Sequence, residues 1–302
     1  MKEELNQLNE LALSYYLSGN MKKALQLFYQ ALHFVDPEED RQMEHNILIN
    51  IAQIYDEVNQ DKKAMTVYRW IYRRYGDPAG LYGMALIYEK NKNYGSALEY
   101  YHKAIEVDEN YRDAIFFMAN LYDMLGETEE AIRWYKDLIE KHPDDYMALM
   151  NLGAIYESRF QYEKAKELFC RSIDIEDGYF RSHFNLGIAY KGLGDYEKAL
   201  RQYDIAKTLE PQYGDIYLNI SAIYIEEEKY SSCEEILTEG IEQVPDEANL
   251  YYNRACVRLK LGKEKEAIDD GKKSVELNPE IRDYMAMDED LEPIREEILG
   301  EF

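Results

Sequence analysis

Five asparagines, Asn50, Asn151, Asn185, Asn219 and Asn253, occupy one position of a periodic pattern, the last four separated by steps of 34 residues. Each side chain offers one acceptor and two donor hydrogens, enough to pair with both the C=O and the N–H of an extended peptide whatever that peptide's side chains. A column of them is a candidate grip for a strand-like ligand. The residue before each column position is apolar: Ile49, Tyr82, Phe116, Met150, Phe184, Leu218 and Tyr252. A continuous exposed apolar strip of this kind is a recognition surface. Six residues beyond the column position stand Asp56, Glu89, Asp123 and Glu157, which favour a partner carrying Lys or Arg. Gly83 and Phe117 interrupt the column.

Catalytic chemistry is not written in the same way. There is no H-E-x-x-H, Walker A or G-x-S-x-G sequence, and His33, His45, His102, His142 and His183 share no metal-ligand spacing, which reads them as incidental surface or groove residues. Gly192 and Gly194 form a G-x-G that follows no strand and reads as a turn. Acidic pairs such as Asp269 with Asp270, or Glu226 with Glu227, read as solvated charge. No catalytic residue, metal or cofactor is expected.

The formal net charge of −25 repels nucleic acid and leaves basic protein segments as the charged partners to expect. Three cysteines, Cys170, Cys233 and Cys256, follow no finger or redox spacing and fit reduced packing thiols, hence a cytoplasmic setting. The N-terminal MKEELNQLNELAL has neither the apolar core of a signal peptide nor the run of a membrane span.

The elements that position these residues are repeats. Small residues recur at Ala24, Ala64, Ala97, Ala131, Ala165, Ala199, Cys233 and Ala267, at steps of 40, then 33, then 34. Twelve residues before each stands another: Ala12, Ala52, Ala85, Ala119, Gly153, Gly187, Ser221 and Ala255. Three residues after these come Tyr15, Tyr55, Tyr88, Tyr122, Tyr156, Tyr190 and Tyr224, with Arg258 the exception. Four after the first series come Phe28, Tyr68, Tyr101, Tyr135, Phe169, Tyr203, Leu237 and Gly271.

Each half of the unit therefore carries one helical stripe, and two stripes that face each other make a helix pair. Small residues let the backbones cross closely and aromatic rings fill the wedge beside them. Glycine at Gly19, Gly126, Gly194 and Gly262 ends the first helix in four copies. The 40-residue first step places a longer loop at EEDRQME, residues 38–44. Arg254, Arg258 and Gly271 replace packing residues in the last copy, as a terminal repeat with a more polar face would. Leu291, Ile294, Ile298 and Leu299 form one stripe of a C-terminal capping helix.

A 34-residue helix-turn-helix unit with these classes resembles the tetratricopeptide repeat. The resemblance covers residues 5–281 in eight copies, at about 5–38, 45–78, 79–111, 112–145, 146–179, 180–213, 214–247 and 248–281, with 282–302 as the cap. It implies an all-α, right-handed superhelical α-solenoid whose first helices line a concave groove. The asparagine column would then face that groove, similar to the ladder in the repeat region of the O-linked N-acetylglucosamine transferase. The carboxylate clamp found in chaperone-binding members has its nearest match in Asn120, Asn151 and Arg181, but Phe116 and Asn185 stand where basic residues belong, so it is not expected. The expected function is non-catalytic binding of an extended peptide segment of another protein, with apolar and basic residues, and with neither nucleic acid nor membrane as partner. Two alternatives stay open: a scaffold assembling a complex through its convex face or termini, and a peptide-gated regulator.

Overall fold

The structure is a computed structural model that describes residues 2–36 and 38–300. It divides into two compact units, one ending at Pro143 and the other beginning at Asp144. In the first, α1 (Lys2–Leu17) pairs with α2 (Met21–Leu32), α3 (Arg41–Glu57) with α4 (Asp61–Tyr75), α5 (Pro78–Lys90) with α6 (Tyr94–Val107), and α7 (Arg112–Met124) with α8 (Thr128–Lys141). In the second, α9 (Tyr146–Ser158) pairs with α10 (Tyr162–Ile175), α11 (Phe180–Gly192) with α12 (Tyr196–Leu209), α13 (Gly214–Glu226) with α14 (Tyr230–Gln243), and α15 (Ala248–Lys260) with α16 (Glu264–Leu277). Then follow α17 (Ile281–Met287), a 3-10 turn (Glu289–Ile294) and α18 (Arg295–Leu299). No strand forms among the described residues, so the architecture is the expected all-α solenoid of helix-turn-helix repeats.

The pairing follows from the small residues. Every alanine of the two repeated series is wholly shielded from solvent, as are Ser221 and Cys233. A Cβ added to Gly187 would come within 2.4 Å of the Tyr203 ring, and one on Gly153 within 2.5 Å of the Phe169 ring. The second helix thus lays an aromatic ring directly on the backbone of the first, which no larger residue permits.

All eight repeats turn the same way between their helices. The residue at the turn is left-handed in each: Gly19, Gly126, Gly194 and Gly262 at φ of 74° to 79°, and Asn59, Lys92, Phe160 and Glu228 at 55° to 59°. The next residue donates its N–H to the carbonyl of the repeated tyrosine five positions back, as in Asp195 to Tyr190 at 2.9 Å and Gln161 to Tyr156 at 2.9 Å. Lys263 makes the same bond to Arg258 at 2.8 Å, so the last repeat keeps the turn without the tyrosine. This is the Schellman closure, and it needs the left-handed residue whether or not glycine supplies it.

Four expectations are corrected. The 40-residue step is only partly a loop: Arg41 to Glu44 are helical, and α3 is lengthened to 17 residues. Glu44 in its first turn suits the positive helix end and pairs with Arg74 at 2.9 Å. The last repeat is not polar outward. Arg254 and Asp270 are 9% and 5% exposed, and the guanidinium gives Asp270 two bonds, of 2.8 and 2.7 Å. Arg258 gives Asp270 a third at 2.7 Å and Glu234 one at 3.0 Å, so Asp270 is the centre of a buried network rather than a solvated charge. The cap is not one helix: Pro293 lies in the 3-10 turn, and α18 carries only five residues. Its stripe still packs, with Leu291, Ile294 and Leu299 buried against Ala267 and Ile268, and Gly271 leaves room for Ile298, whose Cδ1 would lie 2.4 Å from a Cβ there. Glu301 and Phe302, the end of the expected cap, lie outside the described residues. Finally, His183 is neither on the surface nor in the groove: it is buried, with Nδ1 2.9 Å from Gln202 Oε1 and Nε2 3.0 Å from the Asp177 carbonyl.

Two outcomes follow. A left-handed non-glycine residue costs about 1–2 kcal/mol, partly offset by the entropy that glycine would lose. Lys92→Gly, Phe160→Gly and Glu228→Gly should each stabilise the fold by up to about 1 kcal/mol in urea melts, Asn59→Gly by less, and Gly194→Ala should destabilise it. Asp270→Ala leaves two arginines without their shared carboxylate, and a broken buried pair costs about 3–5 kcal/mol. Hydrogen exchange should then show α15, α16 and the cap opening ahead of the rest of their unit.

Candidate functional site

In the first unit the positions expected to face a groove lie on α3, α5 and α7. Asn50 and Ile49 are half-buried on α3, and Asn50 has no hydrogen-bond partner among the described residues. Tyr82 on α5 packs its ring against Tyr111 at 5.8 Å and Phe117 at 5.7 Å. Phe116 on α7 is only 8% exposed, edge-on to Phe117 and to Tyr135, with the Arg112 guanidinium 4.5 Å from its ring centre. A cavity of about 430 Å³ opens here, and its wall includes Tyr16, Tyr68 and Tyr111, which the sequence pattern did not single out as site residues. Tyr68 belongs to the repeated aromatic position, which was read as core alone.

The acidic positions of this unit differ in how they are neutralised. Lys90 Nζ bridges Asp56 at 2.5 Å and Asp61 at 2.7 Å. Glu89 accepts a 2.6 Å bond from the Tyr101 hydroxyl, and burial with this bond pushes that phenol far above its ordinary range. Asp123 is exposed near the end of α7, with no partner for its side chain among the described residues, and the partial desolvation it meets there raises its pKa.

In the second unit the same positions lie on α9, α11, α13 and α15. Met150 and Phe184 are 9% and 7% exposed; Phe184 packs on Tyr203 at 5.8 Å and edge-on to Tyr213 at 5.2 Å. Phe116, Met150 and Phe184 are therefore packing residues, and the expected open apolar strip is broken within each unit where they stand. Asn151, Asn185, Asn219 and Asn253 are all half-buried. Asn185 reaches only the Met150 sulfur, at 3.4 Å. Asn219 is differently placed: its amide donates to its own helix at the Asp215 carbonyl, 2.9 Å, and its oxygen lies 3.5 Å from the Tyr203 hydroxyl. Glu157, unlike the exposed Asp123, is half-buried; it has no side-chain partner among the described residues, and burial raises its pKa.

Tyr252 and Asn253 line a second cavity of about 470 Å³ together with Leu218, Asn249, Ile281 and Tyr284. Ile281 and Tyr284 come from α17, so the segment that covers the last repeat also builds a groove wall. The Tyr252 hydroxyl donates to Asp288. The basic residues near these positions are engaged: Lys260 with Asp290 at 2.6 Å, Lys191 with Glu226 at 3.5 Å, and Arg181 over the rings of Phe180 and Tyr213. Asn120, the first of the near-matches to the carboxylate clamp, accepts from the Tyr135 hydroxyl. No group of three or more metal-ligating side chains stands together, and no helix is long and apolar enough to cross a membrane, among the described residues.

Family models of the tetratricopeptide repeat match residues 89–152, 148–179, 180–213 and 248–281, together more than half of the chain. Protein SGT1 homolog from Bos taurus is 41% identical over 64 residues, which are 21% of this chain and 19% of that protein. The crystal structure of the APC/C hetero-tetramer Cut9-Hcn1 contains a chain 17% identical, with a TM-score of 0.56 over 90% of this chain and 53% of its own. A tetratricopeptide repeat protein from Parabacteroides merdae ATCC 43184 is 18% identical, with a TM-score of 0.47 over 98% of both chains. This chain thus spans about half of the Cut9-Hcn1 chain it matches and its match about a fifth of the SGT1 homologue. At 17% identity the Cut9-Hcn1 likeness shows the fold alone. With the repeat matched in sequence and its helix pairs formed in both units, the chain belongs to the tetratricopeptide repeat family.

Proposed function

We propose that this protein is a cytoplasmic, non-catalytic module that holds an extended segment of a partner protein, basic and apolar in character, along the groove-side helices of its units. The fold supports protein–protein interaction in general. One observation carries the finer reading. Glu157 in the second unit is a half-buried carboxylate with a raised pKa and no cationic partner among the described residues, whereas Asp56 and Glu89 at the equivalent positions are paired. Holding such a group ionised costs folding energy that a bound Lys or Arg would recover.

The asparagines divide in the same spirit. Asn50 and Asn253 keep their amides unspent on other side chains or backbone, and Asn185 touches only a thioether, whereas Asn219 already serves its own helix and Tyr203.

Extended peptides selected from a random display library, titrated by calorimetry, test both points. Asn185→Ala and Asn253→Ala should each weaken binding by about 0.5–1.5 kcal/mol and leave the melting temperature nearly unchanged. Asn219→Ala should lower the melting temperature and change binding less. The carboxylates should show a trade-off. A carboxyl whose pKa is raised by burial destabilises the fold once ionised; that penalty is complete above the folded pKa and vanishes as the pH falls below the ordinary carboxyl range. Glu157→Gln should therefore raise stability at pH 7, show no gain below about pH 3, and weaken binding of basic peptides at low salt, whereas Asp123→Asn, at an exposed position, should weaken that binding with little change in stability. Selected peptides with no excess of Lys and Arg, bound equally at low and high salt, would refute the basic-partner reading.

A further inference from the structure

The cavity of the first unit is built at the interruption of the asparagine column. Gly83 stands at the column position of α5, and a Cβ there would come 2.4 Å from the Tyr68 ring. Asparagine at this place would drive that ring out, so the break in the column is what lets Tyr68 form part of the cavity wall. Around it stand Tyr16, Tyr82 and Tyr111 with Asp56, Glu57 and Asp113, and no Lys or Arg belongs to the lining.

The polar atoms of this lining are largely uncommitted. The hydroxyls of Tyr68, Tyr82 and Tyr111 have no hydrogen-bond partner among the described residues, while Tyr16 donates to Glu57. Burial and nearby carboxylates push all four phenols up, Tyr16 to about 12, so at neutral pH each is an uncharged group with oxygen lone pairs to offer. Two bases outside the lining already draw on its acids: Lys90 takes Asp56 Oδ1 at 2.5 Å, and Arg112 takes Asp113 Oδ1 at 2.9 Å. Each leaves the second carboxylate oxygen without a partner among the described residues.

We infer that this cavity is a subsite for one arginine side chain of an extended protein segment, the guanidinium lying among the four tyrosine rings and donating to Asp113, Glu57 and the phenol oxygens. The inference rests on the groove reading above and gives it a local specificity. Guanidinium suits the site better than ammonium. It is flat and weakly hydrated, stacks on aromatic faces, and offers five donors to a ring of acceptors that three ammonium hydrogens could not satisfy. A volume of about 430 Å³ leaves room for the stem of the side chain and the adjoining backbone.

The test uses three capped nonapeptides of extended, uncharged sequence, identical except for arginine, lysine or citrulline at the centre, titrated into the full chain and read by calorimetry at low salt. Arginine should bind at least tenfold tighter than citrulline and several-fold tighter than lysine, with the margin over citrulline shrinking at high salt. Asp113→Asn and Gly83→Asn should each abolish the preference for arginine over citrulline. Gly83→Asn also perturbs packing, so Asp113→Asn, with a melting curve close to that of the native protein, decides. Equal binding of the arginine and citrulline peptides, or a preference that survives Asp113→Asn, overturns the subsite and leaves the groove reading standing. If none of the three binds, the subsite falls; if library peptides also fail to bind, the groove reading falls with it.

Discussion

The structure depends on how closely the two helices of each repeat approach. Sixteen positions hold alanine, glycine, serine or cysteine because a helix crossing at backbone contact has no room for more. The rings follow from this: once the backbones touch, the space beside the crossing is a wedge, and Tyr203 against Gly187 or Phe169 against Gly153 fills it. The turn follows too. A pair held this closely must reverse within a few residues, and the same Schellman closure makes that reversal in all eight repeats, on the repeated tyrosine carbonyl in seven and on that of Arg258 in the last. A regular groove-side row is then a by-product of a regular crossing, since the face opposite a packed stripe points the same way in every repeat of a unit.

Electrostatics are laid over this frame unevenly. A chain of net charge −25 has more carboxylates than it can pair, so where it places its pairs is informative. Within the last repeat it buries Asp270 under two arginines, a contact that fixes α15 on α16. In the first unit Asp56 is tied to Lys90, whereas in the second Glu157 stays half-buried with no side-chain partner among the described residues. Burying a lone carboxylate works against folding, which gives Glu157 a different standing from the solvated acids of the helix surfaces.

Steric information was legible in the sequence and side-chain partnership was not. The period, the crossing positions and the wedge-filling rings could be read because size is a property of each residue type alone. The left-handed turns at Lys92, Phe160 and Glu228 could not, since nothing in those side chains announces a positive φ that the neighbouring repeats impose. Asp270 read as solvent-exposed because an acid beside another acid usually is; its burial depends on Arg254, which lies sixteen positions earlier. The apolar strip failed for a related reason. Phe116, Met150 and Phe184 do stand on the predicted faces, but a large side chain beside a repeat boundary finds neighbours there, as Phe184 finds Tyr213. Asn219 likewise matches its column in sequence while its amide is spent on Asp215 and Tyr203.

A column position is thus a place rather than a role, and its meaning is set by what the preceding repeat sends toward it. Where the neighbouring second helix supplies a ring that needs space, as Tyr68 does, glycine at the column opens a cavity with its own chemistry. Where it supplies a hydroxyl within reach, as Tyr203 does, asparagine becomes part of the frame. Where it supplies neither, as with Leu237, the amide of Asn253 makes no hydrogen bond among the described residues. The same economy of repeats that makes the fold easy to read therefore makes the role of each column residue hard to read, because that role is set by the departures from the repeat.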